Sequence, residues 1–232
     1  MIIYGKNPIK EAIFKERKIY RLYLDNKFKD RQFLDFLSQR EIDVIKVSKD
    51  KLNELSDNAI HQGVVADVLD YQYYDLEKVY QQNKTNRFII LDEITDPHNL
   101  GAILRTAEAA GIDAIIVSKR QQAPLNATVA KVSSGAIEHV PVVAVSNLNN
   151  TILKLKKMNF IIVGTDGSAE VSYQEMPKEQ NIAVILGSEG SGIRPLVKSN
   201  CDLLVKIPMY GKINSLNVSV AGALLMYEMI KK

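Results

Sequence analysis

The chain has 232 residues, of which 46% are hydrophobic and 25% charged, an ordinary globular composition that excludes a chain dominated by disorder. No apolar run approaches the roughly 18 residues that cross a bilayer, and Met1-Ile2-Ile3-Tyr4-Gly5 lacks the basic flank and apolar stretch of a signal peptide, so a cytoplasmic protein with no membrane contact is expected. A net charge of +3 is too small to argue for nucleic acid, the single cysteine, Cys201, excludes an intrachain disulfide, and His61, His98 and His139 are too scattered to suggest a metal site.

The front of the chain alternates short helix and strand patterns. Asn7-Pro8 reads as a helix start, with Asn capping and Pro at the first helical position, followed by apolar Ile9, Ala12 and Ile13. Residues 19–24 read as a strand, 30–40 as a helix with Phe33, Leu34 and Leu37 on one face, and 42–47 as another strand. Ser48 caps a short helix, and a strand over 64–69 closes the unit. Residues 1–31 carry nine Lys/Arg against four acids, a bias that suits either a solvated face or phosphate contacts. A domain over 1–70 is therefore expected, then a polar linker over 71–86 that is in part helical.

From Arg87 onward the pattern changes to continuous apolar strands separated by helices, at 88–91, 114–117, 140–145, 160–164 and 183–186. Strands apolar on both faces predict a parallel sheet covered by helices on both sides, an α/β domain over 87–232 whose ligands bind at the carboxyl ends of the strands. Three segments lie at such ends. The first, Asp92 to Gly101, puts polar residues before a helix expected from Ala102, with Asn99 as a possible cap and Arg105 on the first turns. The second, Gly187-Ser188-Glu189-Gly190-Ser191-Gly192, is glycine-rich but matches neither a P-loop, since Ile193 stands where Lys should, nor a dinucleotide fingerprint. The third, Ile207 to Leu225, places Asn214, Ser215, Asn217 and Ser219 before a helix of small apolar residues, more polar groups than one cap requires.

Taken together, Asn99-Leu100-Gly101 with Arg105, Leu186-Gly187-Ser188-Glu189-Gly190-Ser191-Gly192, and Ile207-Pro208-Met209 with Ser215-Leu216-Asn217-Val218-Ser219 resemble the three signature motifs of the SpoU/TrmH branch of the SPOUT RNA methyltransferases. Tyr4-Gly5-Lys6-Asn7-Pro8 and His61-Gln62-Gly63-Val64 resemble the ends of the RNA-binding domain fused in the RlmB-like subgroup, so the resemblance covers nearly the whole chain.

The resemblance implies a parallel-sheet domain with a deep trefoil knot, a homodimer, and S-adenosylmethionine held through backbone groups at Gly187, Ile207 and Leu216, with Gly164 beside them. It implies catalytic roles for Asn99, Arg105, Glu189, Ser215 and Asn217, and transfer of a methyl group to a ribose 2′-hydroxyl of RNA without a metal. The subgroup's usual substrate is a guanosine of 23S ribosomal RNA, with a tRNA guanosine as the alternative within the class. The family assigns activation of the hydroxyl to the arginine matched by Arg105. A guanidinium stays protonated, so phosphate clamping or alkoxide stabilisation stands beside general-base action. An RNA-binding protein without catalysis is the alternative from another class, and a dinucleotide-dependent oxidoreductase is disfavoured by the glycine spacing.

Overall fold

The structure, a computed structural model, describes residues 1–188 and 190–231. The chain forms two compact units, Met1–Gln72 with Leu125–His139, and Tyr73–Pro124 with Val140–Lys232. Among the described residues no helix is long and apolar enough to cross a membrane.

The first unit opens with β1 (Ile2–Tyr4), α1 (Lys6–Phe14), β2 (Ile19–Asp25), α2 (Arg31–Ser38), β3 (Ile45–Val47), α3 (Lys49–Leu55) and β4 (Val64–Val68). Its sheet has the order β1-β4-β2-β3, with β4 antiparallel to β1 and β2, and β3 parallel to β2. β1 was not anticipated, because three residues are too few to show a period. The start of α1 also differs from expectation: Gly5, at φ 93°, holds the cap position without a side-chain bond, and Asn7 lies inside the helix. A Cβ on Gly5 would collide with the Lys131 ammonium, so glycine both supplies the turn and leaves room. The other two helices start as the sequence indicates. Asp30 accepts from the Phe33 N–H at 3.1 Å and Ser48 from the Lys51 N–H at 3.3 Å.

The second unit begins with α4 (Leu76–Val79), β5 (Arg87–Asp92), α5 (Pro97–Ala109) and β6 (Ala114–Ser118). α6 (Ala127–Val132) and a 3₁₀ turn at Ala136–Glu138 then belong to the first unit, packing on β1 and α1. There Glu138 is buried and accepts from Arg17 Nη1 and from the Tyr71 hydroxyl, both at 2.8 Å, while the Arg17 guanidinium lies 3.6 Å from the Tyr71 ring centre. Burial first, and then the Glu138 charge, raise the Tyr71 hydroxyl pKa well above its usual value, so this tyrosine is a fixed donor.

The chain continues through β7 (Val142–Val145), α7 (Leu148–Lys157), β8 (Ile161–Thr165), β9 (Val171–Ser172), β10 (Ile182–Gly187), α8 (Pro195–Ser199), β11 (Leu203–Lys206) and α9 (Val218–Ile230). Among the described residues the sheet order is β7-β6-β5-β10-β8-β11-β9, with every pair parallel. Phe88 to Leu91 and Ile182 to Ile185 are wholly buried, which accounts for their unbroken apolar character. The polar stretch before β5 is built into this unit from Tyr73 on. Leu76 and Val79 are buried, and the fully buried Asn86 amide donates to the Gln81 and Lys84 carbonyls at 2.8 and 2.7 Å.

The order of strands decides where a site is formed. From β5 the chain winds outward through β6 and β7, then crosses back to β8, and β10 inserts between β5 and β8. The connections leaving the neighbouring strands β5 and β10 therefore run to opposite sides of the sheet, the arrangement in which open α/β sheets bind ligands at the carboxyl ends of the strands. Gly187 pairs in register with Asp92, so the glycine-rich loop and the loop before α5 leave the sheet side by side.

Candidate active site

The loop after β5 is capped differently from the sequence expectation. α5 begins at Pro97, five residues earlier than expected, because Asp96 caps it by accepting from the His98 N–H at 2.8 Å and Pro97 takes the first helical position. This frees Asn99 from capping. It lies on the first turn, 8% exposed, and its side-chain oxygen accepts from Asn217 Nδ2 at 2.9 Å. Arg105 falls in the third turn rather than the first. Its side chain is exposed and makes no hydrogen bond or ion pair with a described residue. Its spacing from His98 places both on one face of α5.

The glycine-rich loop folds back on itself after β10. Ser188 and Gly192 exchange backbone hydrogen bonds at 3.1 and 3.0 Å, and the Ser188 and Ser191 hydroxyls meet at 2.6 Å. Gly190 and Gly192 have φ of 96° and 67°, so two of the glycines are needed for the turn itself. Gly187 is needed for another reason: a Cβ there would run into the backbone of Gly192 and Ile193. Glu189 lies outside the described residues.

We expect Gly187→Ala already to force this loop open, and to abolish binding of S-adenosylmethionine in calorimetry while far-ultraviolet circular dichroism stays at the parental level. A folded variant that binds normally would remove the loop from the site.

One residue that the sequence reading passed over holds this loop down. Asp92, fully buried, accepts from the Arg194 backbone N–H at 3.0 Å and from its side chain at 2.8 and 2.7 Å; Arg194 also reaches Glu93 at 3.2 Å. The loop 187–193 is thus fixed at one end by the ladder of β10 and at the other by this ion pair. The available sign was a carboxylate directly after the apolar run Phe88 to Leu91.

The third segment supplies the start of α9. Asn217 is the cap, its oxygen accepting from the Ser219 N–H at 3.0 Å and hydroxyl at 2.5 Å while its amide reaches Asn99. Asn214 and Ser215 are exposed in the loop before it, and Leu216 is 38% exposed. Gly222 lets α9 lie close to the sheet, since a Cβ would press on Leu186 and would approach Ile103 of α5 at 3.9 Å. Ile207 directly follows β11.

Gly164, near the end of β8, pairs with Ile185 and Leu204, and the space a side chain would need is taken by Cys201 and Leu204. Burial pushes the Cys201 thiol up to about 11, so it is no nucleophile at neutral pH. Asp166, next along from β8, is held near 2 by the Lys198 ammonium and by the Ser168 hydroxyl and amide. The structure therefore joins Asn99 to Asn217, and sets Gly187 and Gly164 on strand ends at the same end of the sheet. Arg105 and Ser215 remain without a described link to them.

Comparison with known proteins gives this geometry its class. The model of the SpoU rRNA Methylase family matches residues 86–227, and that of the RNA 2′-O ribose methyltransferase substrate-binding domain matches residues 2–74. The chain belongs to the SpoU/TrmH family of RNA methyltransferases, which use S-adenosylmethionine. The Bacillus subtilis protein YacO, assigned to the TrmH family of tRNA/rRNA methyltransferases, is 43% identical over 237 residues, covering 99% of this chain and 95% of its own. A crystal structure of an RNA 2′-O ribose methyltransferase matches with a TM-score of 0.85 at 25% identity, over 99% of this chain and 87% of that one. The SpoU methyltransferase AviRb from Streptomyces viridochromogenes, solved with S-adenosylmethionine, shares the fold with a TM-score of 0.84 at 24% identity, over 99% and 89% of the two chains.

Proposed function

We propose that the chain methylates the 2′-hydroxyl of a ribose in RNA, and that a guanosine of 23S ribosomal RNA in the cytoplasm is its substrate. The observation that carries this reading is the 2.9 Å bond between Asn99 and Asn217, which ties the start of α5 to the start of α9 at the end of the sheet where the connections of β5 and β10 diverge. Two helix N-termini meeting there favour a group of negative charge, as an RNA phosphate is.

The residues present fit the cofactor. From Pro208 to Leu216 the backbone makes no hydrogen bond to a described residue, and Met209, Ile213 and Leu216 expose apolar surface. Main-chain groups at Gly187, Ile207 and Leu216 would hold S-adenosylmethionine, and Gly164 bounds the same end of the sheet. When bound, the cofactor supplies a methyl group already activated by its sulfonium.

The protein then has to orient a ribose oxygen and accommodate the charge that develops on it. Arg105, exposed and without an ion-pair partner among the described residues, is suited to clamp a neighbouring phosphate or stabilise the alkoxide. The exposed Ser215 hydroxyl serves to position the ribose, Asn217 fixes the loop that carries it, and Glu189 orients Arg105 or the loop amides.

Val220, Leu224 and Tyr227 form an exposed apolar stripe along α9, which supports a homodimer through this helix; the knotted path of the C-terminal segment is part of the same reading. Light scattering at the mass of one chain would remove the dimer. A tRNA guanosine is the second reading, favoured by the tRNA/rRNA name of the B. subtilis relative.

The test is incubation of the purified protein with labelled S-adenosylmethionine and either unmodified ribosomal RNA or tRNA, followed by nucleoside analysis. 2′-O-methylguanosine from 23S RNA is the expected product. Label on a base, or only in tRNA, would overturn the 2′-O or the ribosomal assignment respectively.

A further inference from the structure

The first unit carries a surface unrelated to the methyl-transfer site. A groove of about 540 Å³ is lined by Ile13, Phe14, Glu16, Arg17, Arg40 and Ile42. Phe14, at the end of α1, is 52% exposed. It meets Phe36 of α2 edge to face, with ring centres 5.2 Å apart. The Arg40 guanidinium lies on both rings, 4.8 Å from the Phe14 centre and 4.2 Å from that of Phe36, and the Lys10 ammonium stands 5.4 Å from Phe36.

The charges around these rings are not spent within the fold. Among the described residues Lys10, Lys15 and Arg40 have no carboxylate partner, whereas Lys6 is tied to Asp30 at 2.7 Å and Arg17 to Glu138 at 2.8 Å. Lys10 and Arg40 thus stand beside the pair formed by Phe14 and Phe36, with Lys15 next to Phe14 in the chain. Aromatic faces and cations side by side suit a partner that offers a flat base and a phosphate together.

We propose that this groove is a docking platform for an unpaired nucleotide of the substrate RNA, the base stacking on Phe14 and the flanking phosphates lying on Arg40, Lys10 and Lys15. Stacking on an aromatic face requires a base outside a duplex, so the platform selects single-stranded loops or bulges over helical RNA. Glu16, which also lines the groove, suits the amino and imino donors of a base edge and not a phosphate. Arg40 is already placed within 4.8 Å of the Phe14 centre and 4.2 Å of the Phe36 centre, so less side-chain freedom is lost when it meets the phosphate. This inference rests on the reading that RNA is the substrate.

The experiment uses the full chain and a fluorescein-labelled mixed-sequence RNA of about 12 nucleotides, within the span of known single-strand sites. It is measured alone and as a duplex by anisotropy across a salt series. Phe14→Ala is expected to weaken single-strand binding about tenfold, the worth of one stacked base, with the salt dependence and the duplex affinity retained. Phe14→Tyr keeps the affinity. Arg40→Ala is expected to lower the slope of log affinity against log salt by about 0.7, the share of one phosphate contact on a single strand.

Far-ultraviolet circular dichroism and thermal unfolding at the parental level in each variant report that the first unit is intact, and calorimetric affinity for S-adenosylmethionine stays parental because the cofactor residues lie in the second. Parental binding in both alanine variants, equal loss for single strand and duplex, or no binding of the single strand by the parent overturns the platform. A parent that methylates ribosomal RNA while its variants bind normally sinks this inference alone; a parent that transfers no methyl group to any RNA sinks the functional reading beneath it.

Discussion

Replacing Arg105 by alanine is expected to slow methyl transfer at least about a hundredfold, the usual loss for one electrostatic donor at a reacting centre, and to leave affinity for S-adenosylmethionine unchanged. Arg105 lies on α5, whereas the main-chain groups assigned to the cofactor lie at the ends of β10 and β11 and in the loop before α9. It holds no ion pair with a described residue, so its removal breaks no described part of the fold. Arg105→Lys should restore little, because an ammonium offers a point charge in place of a planar fork. Single-turnover methylation at saturating cofactor and RNA, beside calorimetry, separates the two effects. Near-normal turnover in Arg105→Ala, or a loss fully explained by weaker cofactor binding, would reduce Arg105 to a surface residue of α5.

Arg194→Ala should loosen the glycine-rich loop by removing its anchor. It leaves the Asp92 carboxylate with no exposure and only the backbone N–H of residue 194 as donor, in place of three bonds. Breaking a buried ion pair on one side costs about 3 kcal/mol, the lower end of the usual range because Arg194 is itself 43% exposed and water can follow it inward. Asp92→Asn should cost about 2 kcal/mol, since both carboxylate oxygens accept from Arg194 and an amide sets its own N–H donors against one of those donors in a buried place. Chemical denaturation and cofactor calorimetry on the same preparations test both, and cofactor affinity should fall with the loop's anchorage. An Arg194→Ala protein as stable as the parent, with parental affinity, would mean that the turn between Ser188 and Gly192 suffices to hold the loop.

These expectations draw on features of unequal visibility. The parallel sheet was legible because its strands are buried on both faces, which leaves the uninterrupted apolar runs at 88–91 and 183–186. Ser48 was legible as a cap, and Asp30 as the start of its helix, because capping is a local bond between a side chain and the backbone two or three residues on. The same rule misplaces the start of α1, read at Asn7, and the start of α5, read at Ala102. At Asn7 the cap position is taken by Gly5, whose positive φ favours glycine and whose missing side chain leaves room for Lys131 and Gln62, remote in sequence. At Asn99 an equally good cap, Asp96 followed by proline, stands three residues earlier and moves the helix start with it.

By itself the sequence determined what depends on neighbours along the chain: the strand and helix periods, the glycines that turn the 187–192 loop, and the ordered polar motifs at strand ends. The tertiary structure alone decided what depends on residues a hundred positions apart. Asn99 finds Asn217, Asp92 finds Arg194 and Arg17 finds Glu138, because strand order and helix packing bring those segments together. It also decided that α6 belongs with the front unit and that Arg105 stands two turns along its helix. The physical reason is that a hydrogen bond is set by distance in space, and a period in the sequence specifies which face of an element is buried but not which partner will cover it.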